Sequence, residues 1–351
     1  MCRSTVAHSG SGGMEQLTHD LASAWTEAGH EVVCVTTPGG WLQAPYRIIE
    51  TLGPPARYSR RWRRSLKTTV NAVKPDVVIS VSGAAHGQLV LKSTVPVLLQ
   101  AHGTSFDELR TKLRTRRALT WMKAVKNLLG LFNDARNYPR YAHAVAVSAR
   151  VAQSMQKMPK LNRPQSIEVI ENGVSSKLQQ RILAGSNSET LTVGYVGRLH
   201  HEKGVDRLLR ASKSAAWSLQ IVGEGPEEDG LRRIADSKAR FFGRLPHEQV
   251  LQRLAEFDVL VVPSRRIEGL PLVVLEALSL GVGCAVSESV SESFGGELPD
   301  GVISFGAADA SLRRAVAEAA QQTASLPAEY TIERTASRYL EAMLRLVETR
   351  G

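Results

Sequence analysis

The chain has 351 residues, 43% hydrophobic and 22% charged, enough for two α/β domains with separate cores. Its net charge of +10 sits in one half: residues 1–180 carry 24 Lys and Arg against 11 Asp and Glu, and residues 181–351 carry 20 against 23. No apolar run approaches the ~20 residues of a membrane span, the stretch Met1 to His8 lacks a signal peptide's apolar core, and Cys2, Cys34 and Cys284 show no metal or redox spacing; together these predict a cytoplasmic protein.

Along the chain, apolar runs of five to seven residues alternate with amphipathic stretches of ten to fifteen, the pattern of parallel sheets covered on both faces. Strands are expected near 3–8, 31–36, 76–81, 96–100, 143–147 and 167–170. The first, Arg3–His8, is short and polar for a central parallel strand, so either the chain starts a residue or two inside it or this edge is loosely held. Gly12-Gly-Met-Glu15 leads into a helix, Leu17 to Ala28, that stops at Gly29. A polar connection, Leu178 to Glu189, is the linker between a domain over 1–177 and a second over 190–325. The second domain has strands expected near 192–196, 218–222, 240–242, 258–262 and 283–286, and Ser325-Leu-Pro327 precedes a closing helix within 328–351.

Two basic stretches account for the N-terminal charge. Arg57 to Lys67 holds Arg60, Arg61, Trp62, Arg63 and Arg64; Arg110 to Lys126 holds seven basic residues among Leu113, Leu119, Trp121, Met122 and Val125. Apolar positions 118, 122, 125, 129 and 132 follow the spacing of an amphipathic helix. A solvated helix face is the plain reading. An anionic membrane surface, attracting each Lys or Arg by ~1 kcal/mol, is the favoured one. Nucleic acid is not expected, because no recognition motif accompanies the charge.

The chemistry concentrates in the second half. Glu268-Gly-Leu-Pro-Leu-Val-Val-Leu-Glu276 follows the strand pattern Phe257 to Pro263 and sets two carboxylates eight positions apart at the start of an apolar helix. With Gly269, Leu270 and Pro271 where that helix should begin, backbone N–H groups and the positive dipole end favour phosphate. Val193-Gly-Tyr-Val-Gly-Arg-Leu-His-His-Glu-Lys-Gly204 is a strand entering a loop bracketed by Arg198 and Lys203, cations suited to a leaving diphosphate. Leu219-Gln-Ile-Val-Gly-Glu-Gly-Pro226 is a third strand ending in a glycine turn.

These three segments, in this order and spacing, resemble the C-terminal half of the retaining glycosyltransferases of family 4, for which Glu-x7-Glu is one signature. The resemblance continues through Gly12-Gly13, Gln100-Ala-His-Gly103, Ala144-Val-Ala-Val-Ser148 and Val169-Ile-Glu-Asn-Gly-Val174. It implies the GT-B fold: two Rossmann-like α/β domains facing across a cleft, with the C-terminal helix crossing back to the N-terminal domain. By the same resemblance, Arg198 and Lys203 hold the diphosphate, Glu268 faces the donor sugar and Glu276 the ribose. Gly223, Arg244 and Leu245 lie where the nucleotide does, with Gly269 and Leu270 adding backbone donors. Gly12 and Gly13 approach the phosphates, and His102 contacts a sugar hydroxyl. No metal, cofactor or enzyme nucleophile is implied. Two departures stand out: Gly281-Val-Gly283 replaces the family's Gly-x-Pro, and Gly295-Gly-Glu297 only loosely echoes its Gly-Gly-x-x-Glu.

The expectation is therefore transfer of a sugar from a UDP- or GDP-sugar donor to a glycan or lipid-linked acceptor in envelope or exopolysaccharide synthesis, by a cytoplasmic enzyme that the basic stretches would hold on the inner face of the cell membrane. A nucleotide-sugar 2-epimerase of the same fold, and a non-catalytic protein that uses the basic face to bind membrane or nucleic acid, are the alternatives.

Overall fold

The structure, a computed structural model, describes residues 1–8, 12–86, 95–107, 109, 130–175, 190–266 and 268–349. The basic stretch from Arg110 to Lys126 and the linker 178–189 lie outside the described residues. The chain divides into two compact units: unit 1 comprises Met1–Gly173 and Thr331–Gly351, and unit 2 comprises Val174–Tyr330.

Unit 1 holds two parallel sheets. β1 (Val33–Thr36) pairs with β2 (Arg47–Glu50), and a second sheet runs β3 (Val78–Val81), β4 (Val97–Ala101), β5 (His143–Ala146), β6 (Ser166–Val169) in that order. The strand expected at Arg3–His8 does not form. Its place is taken by the first two residues, since the Met1 amino group donates to Ile79 O, Val81 N to Met1 O and Cys2 N to Val35 O. Beyond Cys2 the polar residues turn: His8 N donates to Thr5 O, and Thr5 N donates to His8 Nδ1 at 3.1 Å. β2 was not expected, because its pattern is exposed at both ends and carries no apolar run.

Helices among the described residues that cover these sheets include α1 (Gly13–Glu27), α2 (Arg60–Val73) and α3 (Ala149–Gln156). In α2, Trp62, Leu66 and Val70 recur every four residues and are buried, while the Ser59 hydroxyl caps the helix by accepting from Trp62 N. The Trp62 indole N–H donates to Ala84 O at 3.0 Å, so this aromatic belongs to the core and not to the basic face.

Unit 2 is one six-stranded parallel sheet. Its strands are β7 (Leu191–Val196), β8 (Trp217–Val222), β9 (Ala239–Phe241), β10 (Val259–Val262), β11 (Gly283–Ser287) and β12 (Val302–Phe305). The spatial order is β12-β11-β10-β7-β8-β9. β10 and β11 are buried along their whole length, as strands covered on both faces must be, whereas β12 at the edge is half-exposed and was not expected. The covering helices are α4 (Val205–Ser212), α5 (Glu228–Ile234), α6 (His247–Leu254), α7 (Leu272–Ser279), α8 (Glu288–Ser291) and α9 (Asp309–Ala319).

The last helix, α10 (Ile332–Glu348), returns to unit 1, as the GT-B expectation requires. Its buried face, including Ile332, Ala336, Tyr339 and Met343, follows the helical repeat. Trp25 Nε1 of α1 donates to Ala336 O, Gln100 Nε2 at the end of β4 donates to the Tyr339 hydroxyl, and Arg338 pairs with Glu171. Among the described residues, no helix is long and apolar enough to cross a membrane.

Candidate active site

The strand order of unit 2 runs outwards from β7 to β9 on one side and from β10 to β12 on the other, so the connections reverse direction between β7 and β10. Open α/β sheets bind ligands outside the carboxyl ends of their strands at such a point. The β7–β10 ladder joins Val193 to Val259 and Gly194 to Leu260 only, although the strands continue to Val196 and Val262. The two strands thus part toward their carboxyl ends, where both long loops begin.

Lys203 and Glu268 meet across this gap, Nζ to Oε1 at 2.6 Å. Lys203 ends a short 3-10 turn, His201–Lys203, and Gly204 follows in the left-handed region at φ 72°. Gly204 permits the turn to lie on the end of β10, since a Cβ there would stand 2.1 Å from Pro263 O. The backbone N–H groups of Arg265 and Arg266 both donate to Glu202 O, stitching the two loops together. Arg265 forks onto both oxygens of Asp206 at 2.6 and 2.7 Å, and Arg266 reaches Glu202 at 3.3 Å.

Glu268 also accepts from the buried Ser264 hydroxyl at 2.7 Å. Burial alone would raise the Glu268 pKa; the charges of Lys203 and Arg266 and the hydrogen bonds from Lys203 and Ser264 outweigh it and hold the carboxyl below its usual range. Ser264 is itself fixed, its carbonyl accepting from the Ser287 and Ser289 hydroxyls, each at 2.7 Å.

A second seam joins the loops after β7, β8 and β9. Leu199 N donates to Glu224 O and Gly223 N to Gly243 O. Gly223, at φ +133°, has room only because it lacks a Cβ, which would fall 1.9 Å from Gly197 O. Arg244, on the loop after β9, lies 3.6 Å from Glu224, and Leu245 beside it is half-buried. Arg198 projects into solvent with 62% of its side chain exposed, 3.8 Å from Glu202.

The helix expected from Gly269 begins later. α7 starts at Leu272 with Pro271 as its N-cap, so Gly269 and Leu270 form the approach to the helix, and the Leu270 side chain is buried. The extended conformation of Pro271, ψ 124°, keeps it outside the first turn. Glu276, in the second turn, is buried and its Oε1 lies 2.8 Å from His247 Nε2, the first residue of α6.

In unit 1, His102 follows β4 directly, and its buried Nε2 has no hydrogen-bond partner among the described residues. Burial pulls its pKa down to about 4, leaving a neutral ring with an unused polar atom. Gly12 and Gly13 lead into α1, where Gly12 N donates to Glu15 Oε2 at 3.0 Å and the Ser4 hydroxyl donates to the same carboxylate. This bond from the N-cap backbone to an N3 glutamate, one half of a capping box, fixes the loop's entry into the helix.

The structure thus brings Lys203, Glu268, Gly223 and Glu276 to one end of one sheet. Sequence reasoning missed Ser264, Arg265, Arg266 and Asp206; the first three follow a central parallel strand directly, a position that could have singled them out. It also missed His247, which no sequence signal marks.

Two Rossmann-like α/β units and a closing helix that returns to the first define a protein of the GT-B architecture. The chain belongs to the group 1, family 4 glycosyltransferases: Glycosyl transferases group 1 matches residues 177–295, and Glycosyltransferase Family 4 matches residues 11–178. Lipopolysaccharide 1,6-galactosyltransferase of Escherichia coli (strain K12) is 32% identical over 161 residues, 42% of this chain and 43% of that protein. Sulfoquinovosyl transferase SQD2 of Arabidopsis thaliana is 26% identical over 270 residues, 73% of this chain and 52% of that one. The chain thus spans about half or less of the length of these curated relatives. Sucrose-phosphate synthase from Thermosynechococcus elongatus shares the fold at a TM-score of 0.73 and 17% identity, over 99% of this chain and 95% of that one.

Proposed function

We propose that this chain is a retaining glycosyltransferase that moves a sugar from a UDP- or GDP-sugar to a glycan or lipid-linked acceptor. The observation that carries the reading is the Lys203–Glu268 pair, 2.6 Å apart at the point where the order of the unit 2 sheet reverses. An ammonium has three donors and the Glu268 contact uses one, so Lys203 can hold a diphosphate oxygen while it keeps the carboxylate in place. Arg198, exposed beside it, adds a second cation for the charge that grows as the sugar–phosphate bond breaks. Glu268 then accepts from donor-sugar hydroxyls, Glu276 from the ribose, and His102 meets a sugar hydroxyl with its unused nitrogen.

In this reading the acceptor oxygen bonds to the anomeric carbon on the face from which the diphosphate departs. A phosphate oxygen takes the acceptor's proton, and no enzyme nucleophile is required. The name of one relative, a lipopolysaccharide galactosyltransferase, supports an envelope acceptor.

The same reading places the protein on an anionic membrane surface. Along α2, Arg60, Arg61, Arg63, Arg64 and Lys67 are exposed and have no ion pair among the described residues. Leu52, 72% exposed, precedes Gly53, which packs against the Ser59 cap of this helix. Apolar contact there would come from the loop, because the apolar stripe of α2 faces the core.

The test is a thermal-stability panel of nucleoside diphosphates and their sugars without added metal. A donor at ~100 times its dissociation constant should add ~2.7 kcal/mol. A selective shift with one nucleotide supports the reading; no shift with any of them, on folded protein, overturns it.

A further inference from the structure

We propose that His247 is a positioning residue for ribose recognition, holding the Glu276 carboxylate in the orientation that receives the vicinal hydroxyls of a nucleoside diphosphate. The inference rests on the reading of Glu276 given above and extends it to a residue outside the Glu-x7-Glu signature.

Glu276 sits on a helix whose other buried positions include Leu272, Val274, Leu275, Ala277 and Leu278. Only 8% of its side chain is exposed, and a buried carboxylate among apolar neighbours is costly unless something donates to it. Among the described residues one side chain does so, His247 through Nε2 at 2.8 Å. Glu268 is placed differently, held by both Lys203 and Ser264. Its orientation survives the loss of either partner, whereas that of Glu276 depends on the imidazole.

The contact engages Oε1 alone. A carboxylate has about four acceptor sites on its two oxygens, and a vicinal diol needs two of them. Donation by Nε2 fixes the carboxylate plane while leaving that capacity available, and it requires the Nε2–H form of the ring. His247 opens α6 directly after the loop that follows β9, the one carrying Gly243, Arg244 and Leu245, and Gly243 O anchors that loop to Gly223 at the end of β8. Its ring therefore ties the loop on the base side of the nucleotide to the carboxylate on the ribose side. A loop end and a helix, joined by side chains 29 residues apart in the chain, become one mechanical unit.

The experiment measures binding of UDP and GDP, and of their 2′-deoxy and 3′-deoxy forms, to the full chain, to His247→Ala, His247→Gln and Glu276→Ala. His247→Ala is expected to weaken binding of the ribonucleotide about tenfold, the size of a hydrogen bond to a charged group. The loss should shrink to less than about twofold for a deoxy form, because the missing hydroxyl no longer needs the carboxylate. His247→Gln, whose amide nitrogen can stand near the Nε2 position, should recover most of the affinity. With a transferable donor, KM should rise in His247→Ala while kcat stays near that of the parent.

A loss of equal size for ribo- and deoxy-forms would assign His247 a purely structural part and overturn the inference, as would full affinity in His247→Ala. If Glu276→Ala weakens the ribonucleotide and His247→Ala does not, the inference falls alone. If the parent chain binds neither nucleotide, or Glu276→Ala is without effect, the reading of the site falls and takes the inference with it.

Discussion

At the carboxyl end of the unit 2 sheet, charges come in pairs: Lys203 with Glu268, Arg265 with Asp206, Arg266 with Glu202, Arg244 with Glu224 and His247 with Glu276. Along α2 in unit 1, five exposed cations have no ion pair among the described residues. In unit 2 most of these groups are buried or half-buried, with Arg244, Glu224 and His247 more exposed, and neighbouring loops brace them, which suits a ligand of fixed chemistry such as a nucleotide diphosphate. The α2 cations stand in water and await counter-charge from outside, which suits a diffuse anionic surface. Preorganised binding needs pairs; docking on a charged sheet needs their absence.

The comparison breaks first at Glu268. In the reading above, Glu268→Ala should cut kcat by about 10²–10³-fold, the usual size for losing one preorganised electrostatic contact in a transition state. Nucleotide affinity should survive, since Lys203 would be released toward the diphosphate. Steady-state transfer assays beside calorimetric titration would show both; transfer equal to the parent would remove Glu268 from the mechanism.

Next in size is Gly223→Ala. The new Cβ would meet Gly197 O in a backbone conformation that L-residues rarely adopt, so the loops after β7 and β8 must separate. A loss of roughly 3 kcal/mol from unit 2 is expected, read as a lower denaturation midpoint, together with loss of the nucleotide-induced shift. A fully stable variant would show that the seam between these loops is dispensable.

Acid should separate the two units. His86 and His102, both in unit 1, have pKa values pulled down to about 4, His86 by burial and then by the Arg63 charge, His102 by burial. Their unfolded values lie near 6.5, so the unfolded chain takes up protons first, and unit 1 loses stability as pH falls from about 6.5 toward 4. In unit 2, burial pushes Asp206 up, but Arg265 and then Arg210 pull it down to about 2. Its stabilisation is present above about 3.8 and is lost only as pH falls through that range. His102→Gln should flatten the loss in unit 1 by on the order of 2 kcal/mol. Hydrogen exchange at pH 7 and pH 5 checks this; equal weakening of both units would contradict it.

Legibility in the sequence followed burial. β10 and β11 were readable within a residue or two because a strand covered on both faces must be an apolar run, as Val259–Val262 is. β2 and β12 escaped because half-exposed edge strands need no such run. The Arg3–His8 strand was expected despite its short, polar sequence, but local turn hydrogen bonds claim those residues and leave Met1 and Cys2 to bridge β1 and β3. At the candidate site, spacing identified Lys203 and Glu268 separately. Their direct contact spans 65 residues and follows from strand order, which one sequence does not display. His247 is the same case at a distance of 29 residues. Trp62 misled in the opposite direction: among four arginines it reads as part of a basic surface, whereas its place in the four-residue repeat with Leu66 and Val70 makes it core.

The smallest effect per residue should appear on the basic face. Replacing Arg60, Arg61, Arg63, Arg64 or Lys67 singly with Ala should weaken binding to vesicles rich in anionic lipid by about 1 kcal/mol each, roughly fivefold. The losses should add, because each cation meets the surface independently, and they should fade as ionic strength shortens the Debye length. Leu52→Ser should reduce what remains at high salt, since apolar contact from the loop is not screened. Fold stability should change little, because these side chains are exposed and unpaired, in contrast to Trp62→Ala, which would cost about 3–5 kcal/mol. Co-sedimentation with anionic and zwitterionic vesicles distinguishes the outcomes. Equal binding to both kinds, or none to either, would make α2 a solvated face and end its contrast with the paired charges of unit 2.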